Sequence, residues 1–250
     1  MRVLLIVVAA LWGAGAGVLL PRAAHRLSVE AGRPWRGRCP GGHRLTGALG
    51  GWVGPARCAG DGDGARCGTY GPGTARVVAV TALVCAALAA ATGRRPEAAV
   101  WLLLAPVGVL LALVDLRVHR LPDVLTLPSA AATAALLGAA ALLPAAAGSW
   151  PTALLGGLAL GAGYLVLFLI NPAGMGLGDV KLALALGTAL GWYGWPVLVT
   201  GAFAGLLYGA LYGLALLALR RADRKSALPL GPFMLGGAFT GVVLGAFAAG

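Results

Sequence analysis

The chain has 250 residues, of which 59% are hydrophobic and only 11% are charged, and its mean hydropathy is +0.87. Average soluble domains carry roughly 25% charged residues, so this composition excludes a water-soluble globular domain. The formal net charge is +11, but the basic residues are concentrated in loops between apolar runs, which argues against a nucleic-acid partner and for a lipid bilayer.

Eight apolar runs reach transmembrane length, about 17–25 residues. They predict an all-α, polytopic membrane bundle of about eight transmembrane helices. In chain order the runs are 3–20, 76–93, 97–114, 124–147, 151–170, 180–196, 197–219 and 230–249.

The first run, in residues 1–20, begins after Arg2 and ends in small residues, as a cleaved signal peptide does. Cleavage would export the next segment, residues 21–75, which together with Arg76 at its end holds nine of the 19 basic residues. Placing that loop in the cytoplasm puts sixteen basic residues inside and leaves Arg2, Arg94 and Arg95 outside, as the positive-inside rule requires. The first run is therefore interpreted as an anchor, with both chain ends outside.

Residues 76–250 hold two aspartates at the ends of predicted spans. Asp115 ends the third span and Asp179 begins the sixth, so alternation places both at the cytoplasmic face, where they could meet. Two carboxylates in a low-dielectric cleft can share one proton, which is the arrangement of an aspartyl protease. The alternative is that both residues merely occupy helix ends, which suits Asp179 better because negative charge is favoured where a helix begins.

Glycines precede Asp179, in the run from Gly174 to Gly178. A backbone without side chains would let an extended substrate peptide approach, and Gly176 and Gly178 are therefore included in the predicted site. Asp123 follows Pro122 at the start of the fourth span. We interpret Asp123 as a cap of that helix in preference to a catalytic group.

These blocks resemble those of the type IV prepilin peptidases, which are GxGD-type membrane aspartyl proteases. The resemblance rests on three segments and on the 64 residues between the two aspartates. The segments are Val114-Asp115-Leu116-Arg117 with Leu121-Pro122-Asp123, then Gly176-Leu177-Gly178-Asp179-Val180-Lys181-Leu182, and Leu228-Pro229-Leu230-Gly231-Pro232-Phe233.

The resemblance implies a bacterial inner-membrane endopeptidase with Asp115 and Asp179 as its catalytic pair. It implies a prepilin or pseudopilin substrate, cut on the cytoplasmic side between a basic leader and an apolar helix. Many family members also methylate the new N-terminus with S-adenosylmethionine, whereas proteolysis itself requires no cofactor.

The family loop commonly carries two Cys-x-x-Cys pairs, a spacing suited to tetrahedral zinc. Here neither pair is intact, although Cys39, His43, Cys58 and Cys67 could still supply four ligands. A degenerated loop with free thiols is the alternative. We therefore expect weak or no zinc binding, and the methyltransferase activity is an open question.

Two functions of other classes fit the same residues. Membrane carboxylates also serve proton-coupled transporters, but inverted repeats with broken spans, which would favour transport, are not evident in the sequence. The other possibility is an inactive scaffold subunit of a pilus or secretion machine.

Overall fold

The computed structural model describes residues 1–30, 32–58, 68–172, 174–220 and 228–249. Throughout these ranges the regular structure is helical, apart from two isolated β-bridges. The helices are α1 (Arg2–Leu27), α2 (Ala48–Gly51), α3 (Thr74–Thr92), α4 (Glu97–Val118), α5 (Asp123–Ala141), α6 (Trp150–Ile170), α7 (Leu177–Gly191), α8 (Trp195–Ala218) and α9 (Gly231–Ala248).

The expected all-α membrane bundle is confirmed. Among the described helices, seven are long and apolar enough to cross a membrane, and α2 and α7 are the ones that are not. With 15 residues α7 is about 22 Å long, which is shorter than a hydrocarbon core of about 30 Å. The sixth predicted span is therefore replaced by a shorter helix, and four other helices pack against it.

Several helix ends differ from the predicted spans because of glycine and proline. Helix α5 stops at Ala141, before Pro144, although the apolar run continues to residue 147. Helix α7 ends at Gly191 and α8 starts at Trp195. Between them Gly194 has a φ of 100°, and Pro196 stands in the first turn of α8, where its missing N–H costs nothing.

Helix α7 is the centre of the bundle. It packs against α5, α6, α8 and α9. Ala189 and Leu190 contribute to one apolar cluster, and Leu182 and Ala183 to a second cluster nearer the start of the helix. The helix that carries Asp179 is thus fixed from several sides.

Small residues allow α6 and α7 to approach at backbone contact. A Cβ atom at Gly156 of α6 would lie 2.7 Å from the Gly187 carbonyl oxygen of α7. A Cβ at Gly157 would meet the Leu184 carbonyl oxygen at 3.0 Å. Close packing of this kind replaces the hydrophobic driving force, which is absent between helices in lipid.

The segment between α1 and α3, residues 28–73, is called the Cys loop below. It docks on the end of α1, where Pro21 interrupts the helical hydrogen bonding. Gly54 uses the freed groups, since its N–H donates to the Leu19 carbonyl at 3.0 Å and its carbonyl accepts from the Arg22 N–H at 3.1 Å. The Arg26 guanidinium also stacks on Trp52, 4.2 Å from the ring centroid. The described part of the loop is thereby attached to the bundle.

Gly156→Ala should lower the thermal stability of the purified protein, by about 1–3 kcal/mol, because the new methyl group collides with backbone that cannot rotate away. Gly163→Ala on the same helix is the matched control. Its Cβ would meet nothing within 4 Å, so stability should stay level or rise through helix propensity. Equal thermal midpoints for Gly156→Ala and the unmodified protein would contradict this account of the interface.

Candidate active site

Two buried aspartates lie at one end of the bundle. Asp115, in the last turn of α4, is 3% exposed, and Asp179, in the first turn of α7, is 8% exposed. Asp115 bonds the first residue of α9, and Gly178, the residue before Asp179, packs against Leu121 in the connection that follows α4. The tertiary structure thus brings together residues that are 64 positions apart in the sequence.

Asp115 is held by the start of another helix. Its Oδ2 accepts a hydrogen bond of 2.9 Å from the backbone N–H of Gly231, the first residue of α9. A carboxylate at the end of its own helix is electrostatically disfavoured, but the positive end of the α9 dipole compensates. A Cβ at position 231 would lie 2.9 Å from that oxygen, so only glycine permits this contact without displacement.

Sequence reasoning missed the contact between Gly231 and Asp115. Gly231 was noted only as part of a motif at the start of the last span. The available signal was the Gly231-Pro232 pair. Proline is favoured in the first turn of a helix, and a glycine N–H at that position has no acceptor within the helix. The sequence does not show which side chain accepts from that donor.

Asp179 is held within its own helix start. Its Oδ2 accepts a 3.0 Å hydrogen bond from the N–H of Gly176, the residue that precedes α7. The interpretation of Asp179 as a helix-start residue is therefore confirmed. Capping alone does not account for the burial, since removing a carboxylate from water is costly and caps need no such burial.

The two glycines before Asp179 have different surroundings. A Cβ at Gly178 would lie 2.9 Å from the Cβ of Leu121, so this glycine is required for packing against the connection between α4 and α5. At Gly176 a Cβ would meet only the Asp179 Oδ2 at 3.6 Å and the Gly178 N at 3.8 Å. Open space therefore borders the backbone beside the Asp179 carboxylate.

Asp123 has a different environment from the buried pair. It begins α5 after Pro122, in the first turn, where negative charge is favoured. Asp123 Oδ1 also forms an ion pair of 2.7 Å with Lys181 Nζ, which links α5 to α7. The Asp123 side chain is 59% exposed. An exposed ion pair of this kind typically contributes at most about 1 kcal/mol.

A buried apolar cluster lies at the same end of the bundle as the two aspartates. Leu111 and Leu121 come from α4 and the following connection, Leu182 from α7, Tyr164 from α6 and Met234 from α9. All five are buried. Such surroundings lower the local dielectric and strengthen every electrostatic interaction between the two carboxylates.

A second cluster lies in the Cys loop. The Cys39 Sγ is 3.5 Å from the His43 Nδ1 and 3.6 Å from the Cys58 Sγ, and the latter two atoms are 3.5 Å apart. A tetrahedral zinc with Zn–S of about 2.3 Å and Zn–N of about 2.0–2.1 Å would place S···S at about 3.8 Å and S···N at about 3.5 Å. The three atoms thus match one face of a zinc tetrahedron. Cys67, the fourth predicted ligand, lies outside the described residues.

Local turns bring these ligands together despite the altered spacing. The Cys39 N–H donates to the His43 carbonyl at 2.9 Å, and Gly42 completes the turn with a φ of 84°. Burial opposes ionisation of the Cys39 thiol, but hydrogen bonds from His43 and Cys58 prevail and lower the pKa of Cys39 to about 6. A thiolate at neutral pH is the form that binds metal.

Comparison with known proteins gives a consistent result. The model of the Type IV leader peptidase family matches residues 102–214, a range that includes both buried aspartates and excludes the Cys loop. No solved structure matches. Among similar proteins, a prepilin leader peptidase/N-methyltransferase of Aeromonas salmonicida is 38% identical over 143 residues, which are 53% of this chain and 45% of the relative.

Two further relatives are also named prepilin leader peptidase/N-methyltransferase. That of Pseudomonas aeruginosa is 33% identical over 132 residues, which cover 50% of this chain and 42% of the relative. That of Pectobacterium carotovorum subsp. carotovorum is 33% identical over 162 residues, covering 61% and 54%. The chain thus spans about half the length of the curated relatives it matches. Residues 102–214, which contain both buried aspartates, are thus similar to the type IV leader peptidase family.

Proposed function

We propose that this protein is a membrane aspartyl endopeptidase that removes the leader peptide from type IV prepilin-like proteins at the cytoplasmic membrane face. The observation that supports it most is the pair of buried carboxylates at one end of the bundle, inside the region that matches the family. Nothing in the comparisons favours the transporter or the scaffold. Charge asymmetry between the loops supports an inner-membrane protein with both termini outside.

The chemistry follows from two carboxylates that share one proton. The ionised aspartate takes a proton from a water molecule, whose oxygen attacks the scissile carbonyl, while the protonated aspartate donates a hydrogen bond to that carbonyl oxygen. Collapse of the tetrahedral intermediate breaks the C–N bond, and the amine leaves with the proton that the water gave up. The site is then ready for another water.

Backbone N–H groups position the pair for this task. Gly231 bonds one oxygen of Asp115, and Gly176 bonds one oxygen of Asp179. Within the described residues the second oxygen of each carboxylate has no hydrogen-bond partner, which leaves it available for the water or the shared proton. The open space at Gly176 would admit the extended backbone of a leader peptide next to Asp179.

Asp115→Asn and Asp179→Asn should each reduce leader cleavage by about 10²–10⁴, because an amide can neither take nor share the proton. Asp123→Asn is the matched control, since it makes the same chemical change at an exposed, ion-paired position, and it should keep most of the activity. The measurement is the rate at which each purified variant converts a prepilin-like substrate to its shorter form. Near-normal cleavage by either buried-site variant would refute the assignment.

Gly231→Ala should also lower the cleavage rate, by about 10–100-fold, because the new Cβ pushes against the Asp115 carboxylate and removes a hydrogen bond to a charged group worth about 1.5–3 kcal/mol. Gly236→Ala on the same helix is the control. Its Cβ would meet only a Tyr208 ring atom, at 3.6 Å, which is ordinary contact. If the two variants cleave substrate equally fast, the Gly231 contact is not needed for activity.

For the Cys loop we propose a structural zinc site held by Cys39, His43 and Cys58, with Cys67 as the candidate fourth ligand. The ligand distances support this proposal over the weak binding expected from the sequence. Such an ion would fix the turn at residues 39–43 against the segment at Cys58, next to the isolated bridge between Arg57 and Thr69. N-methylation with S-adenosylmethionine stays a prediction, because the matched region excludes this loop.

Elemental analysis of the detergent-purified protein should give one zinc per chain. Cys39→Ser/Cys58→Ser should lose the metal, since two thiolate ligands are removed together. Cys85→Ala is the matched control, because Cys85 is buried in α3 away from the cluster, and it should keep full stoichiometry. Zinc that is absent from the unmodified protein, or present equally in the double variant, would contradict the site.

A further inference from the structure

A cavity of about 520 Å³ lies at the end of the bundle opposite the two aspartates. Its walls come from the start of α1, from the connection between α3 and α4, and from the end of α9. The polar lining consists of Arg2, Thr92, Arg94 and Arg95, and Leu5 and Phe247 add apolar surface. The arginines are the same three that the positive-inside rule assigned to the outer face.

Three guanidinium groups line this cavity, and no acidic side chain of the described residues does. Arg2 Nη2 donates to the Ala90 carbonyl at 2.7 Å and Arg95 Nη1 donates to the Ala246 carbonyl at 2.9 Å, so helix ends fix both side chains. Each guanidinium has five N–H donors, and most are left for a ligand. Glu97, the nearest acidic residue in the sequence, is fully buried and lies outside the lining.

Thr92 forms the inner wall of the cavity. Its side chain lines the cavity and is only 2% exposed. The hydroxyl lies near Tyr193 but makes no hydrogen bond of standard geometry. The polar surface that a ligand can reach in the cavity is therefore that of the arginines. The lining therefore favours an anionic ligand with several hydrogen-bond acceptors.

The position in the fold indicates where such a ligand would come from. Helix α4 has 22 residues and rises about 33 Å from Glu97, next to the cavity, to the turn after Asp115, which is about the thickness of the hydrocarbon core. The cavity is therefore at headgroup level in the leaflet opposite the active site. Phe247, 54% exposed at its edge, could contact acyl chains.

We propose that this cavity binds a phosphate group, which the arginines hold by charge-assisted hydrogen bonds. The headgroup of an anionic phospholipid is one source of that chemistry and free inorganic phosphate is the other. The site is separate from the proposed peptidase centre, and it does not depend on that function. Arginine suits it because the planar guanidinium matches phosphate oxygens in bidentate fashion.

The test is a titration of the detergent-purified full chain, followed by native mass spectrometry, with phosphatidylglycerol, phosphatidylcholine or inorganic phosphate as the probe. We expect specific binding of phosphatidylglycerol and little of phosphatidylcholine, which has no net charge. Saturable binding of inorganic phosphate with an equal affinity would identify the free anion as the ligand of the same site. Equal affinities for the two lipids, without phosphate binding, would overturn the proposal.

Arg94→Gln is the informative variant, because the only contact of its guanidinium in the described chain is with the Met1 sulfur at 3.7 Å and its loss should spare the fold. The apparent Kd for phosphatidylglycerol should rise about tenfold, the loss expected for one charge-assisted bond. Arg2→Gln/Arg94→Gln/Arg95→Gln should raise it further. Arg36→Gln/Arg44→Gln/Arg76→Gln removes the same charge elsewhere and should leave the Kd unchanged. An unchanged Kd in Arg94→Gln, or equal losses in both triple variants, would overturn the site.

Discussion

The burial of two carboxylates in an apolar helical bundle is the constraint on which the rest of this structure depends. A carboxylate in such surroundings must be compensated, and the bundle supplies one backbone N–H to each. Both donors belong to helix starts, Gly176 before α7 and Gly231 at α9. The dipoles of the two helices add to this compensation. The starts of α7 and α9 therefore each place a backbone N–H beside one of the two aspartates.

That arrangement explains why α7 is short and central. With 15 residues α7 is shorter than a hydrocarbon core of about 30 Å. Its first turn carries the buried Asp179. The irregular backbone before it is tolerated where it borders a cavity and not lipid. Glycine contacts with α6, above all those between Gly156 and Gly187, hold the helix at a fixed depth. Rigidity of this kind matters, since paired acids work only at a defined separation.

The Cys loop is attached to the bundle by a different device. Pro21 frees backbone groups inside α1, and Gly54 of the loop bonds both of them. The arginines of this helix end then bond loop carbonyls, Arg22 that of Thr46 and Arg26 that of Gly50. A charge-rich loop and a broken helix are thus parts of one interface. This geometry ties the proposed zinc cluster to the face of the membrane on which the aspartates lie.

The sequence by itself determined the all-helical membrane architecture, the two aspartates and the resemblance to the type IV prepilin peptidases, because hydropathy runs and short motifs are local properties of the chain. It could not show that α7 is too short to span, that Gly231 bonds Asp115, or that Asp123 pairs with Lys181. Each of these depends on helices packed far apart in sequence. The sequence likewise could not show that the turn at Gly42 brings the His43 Nδ1 within 3.5 Å of the Cys39 and Cys58 sulfurs. Tertiary structure decided these points because a hydrogen bond or a ligand set requires a position in space, and spacing along the chain does not provide it.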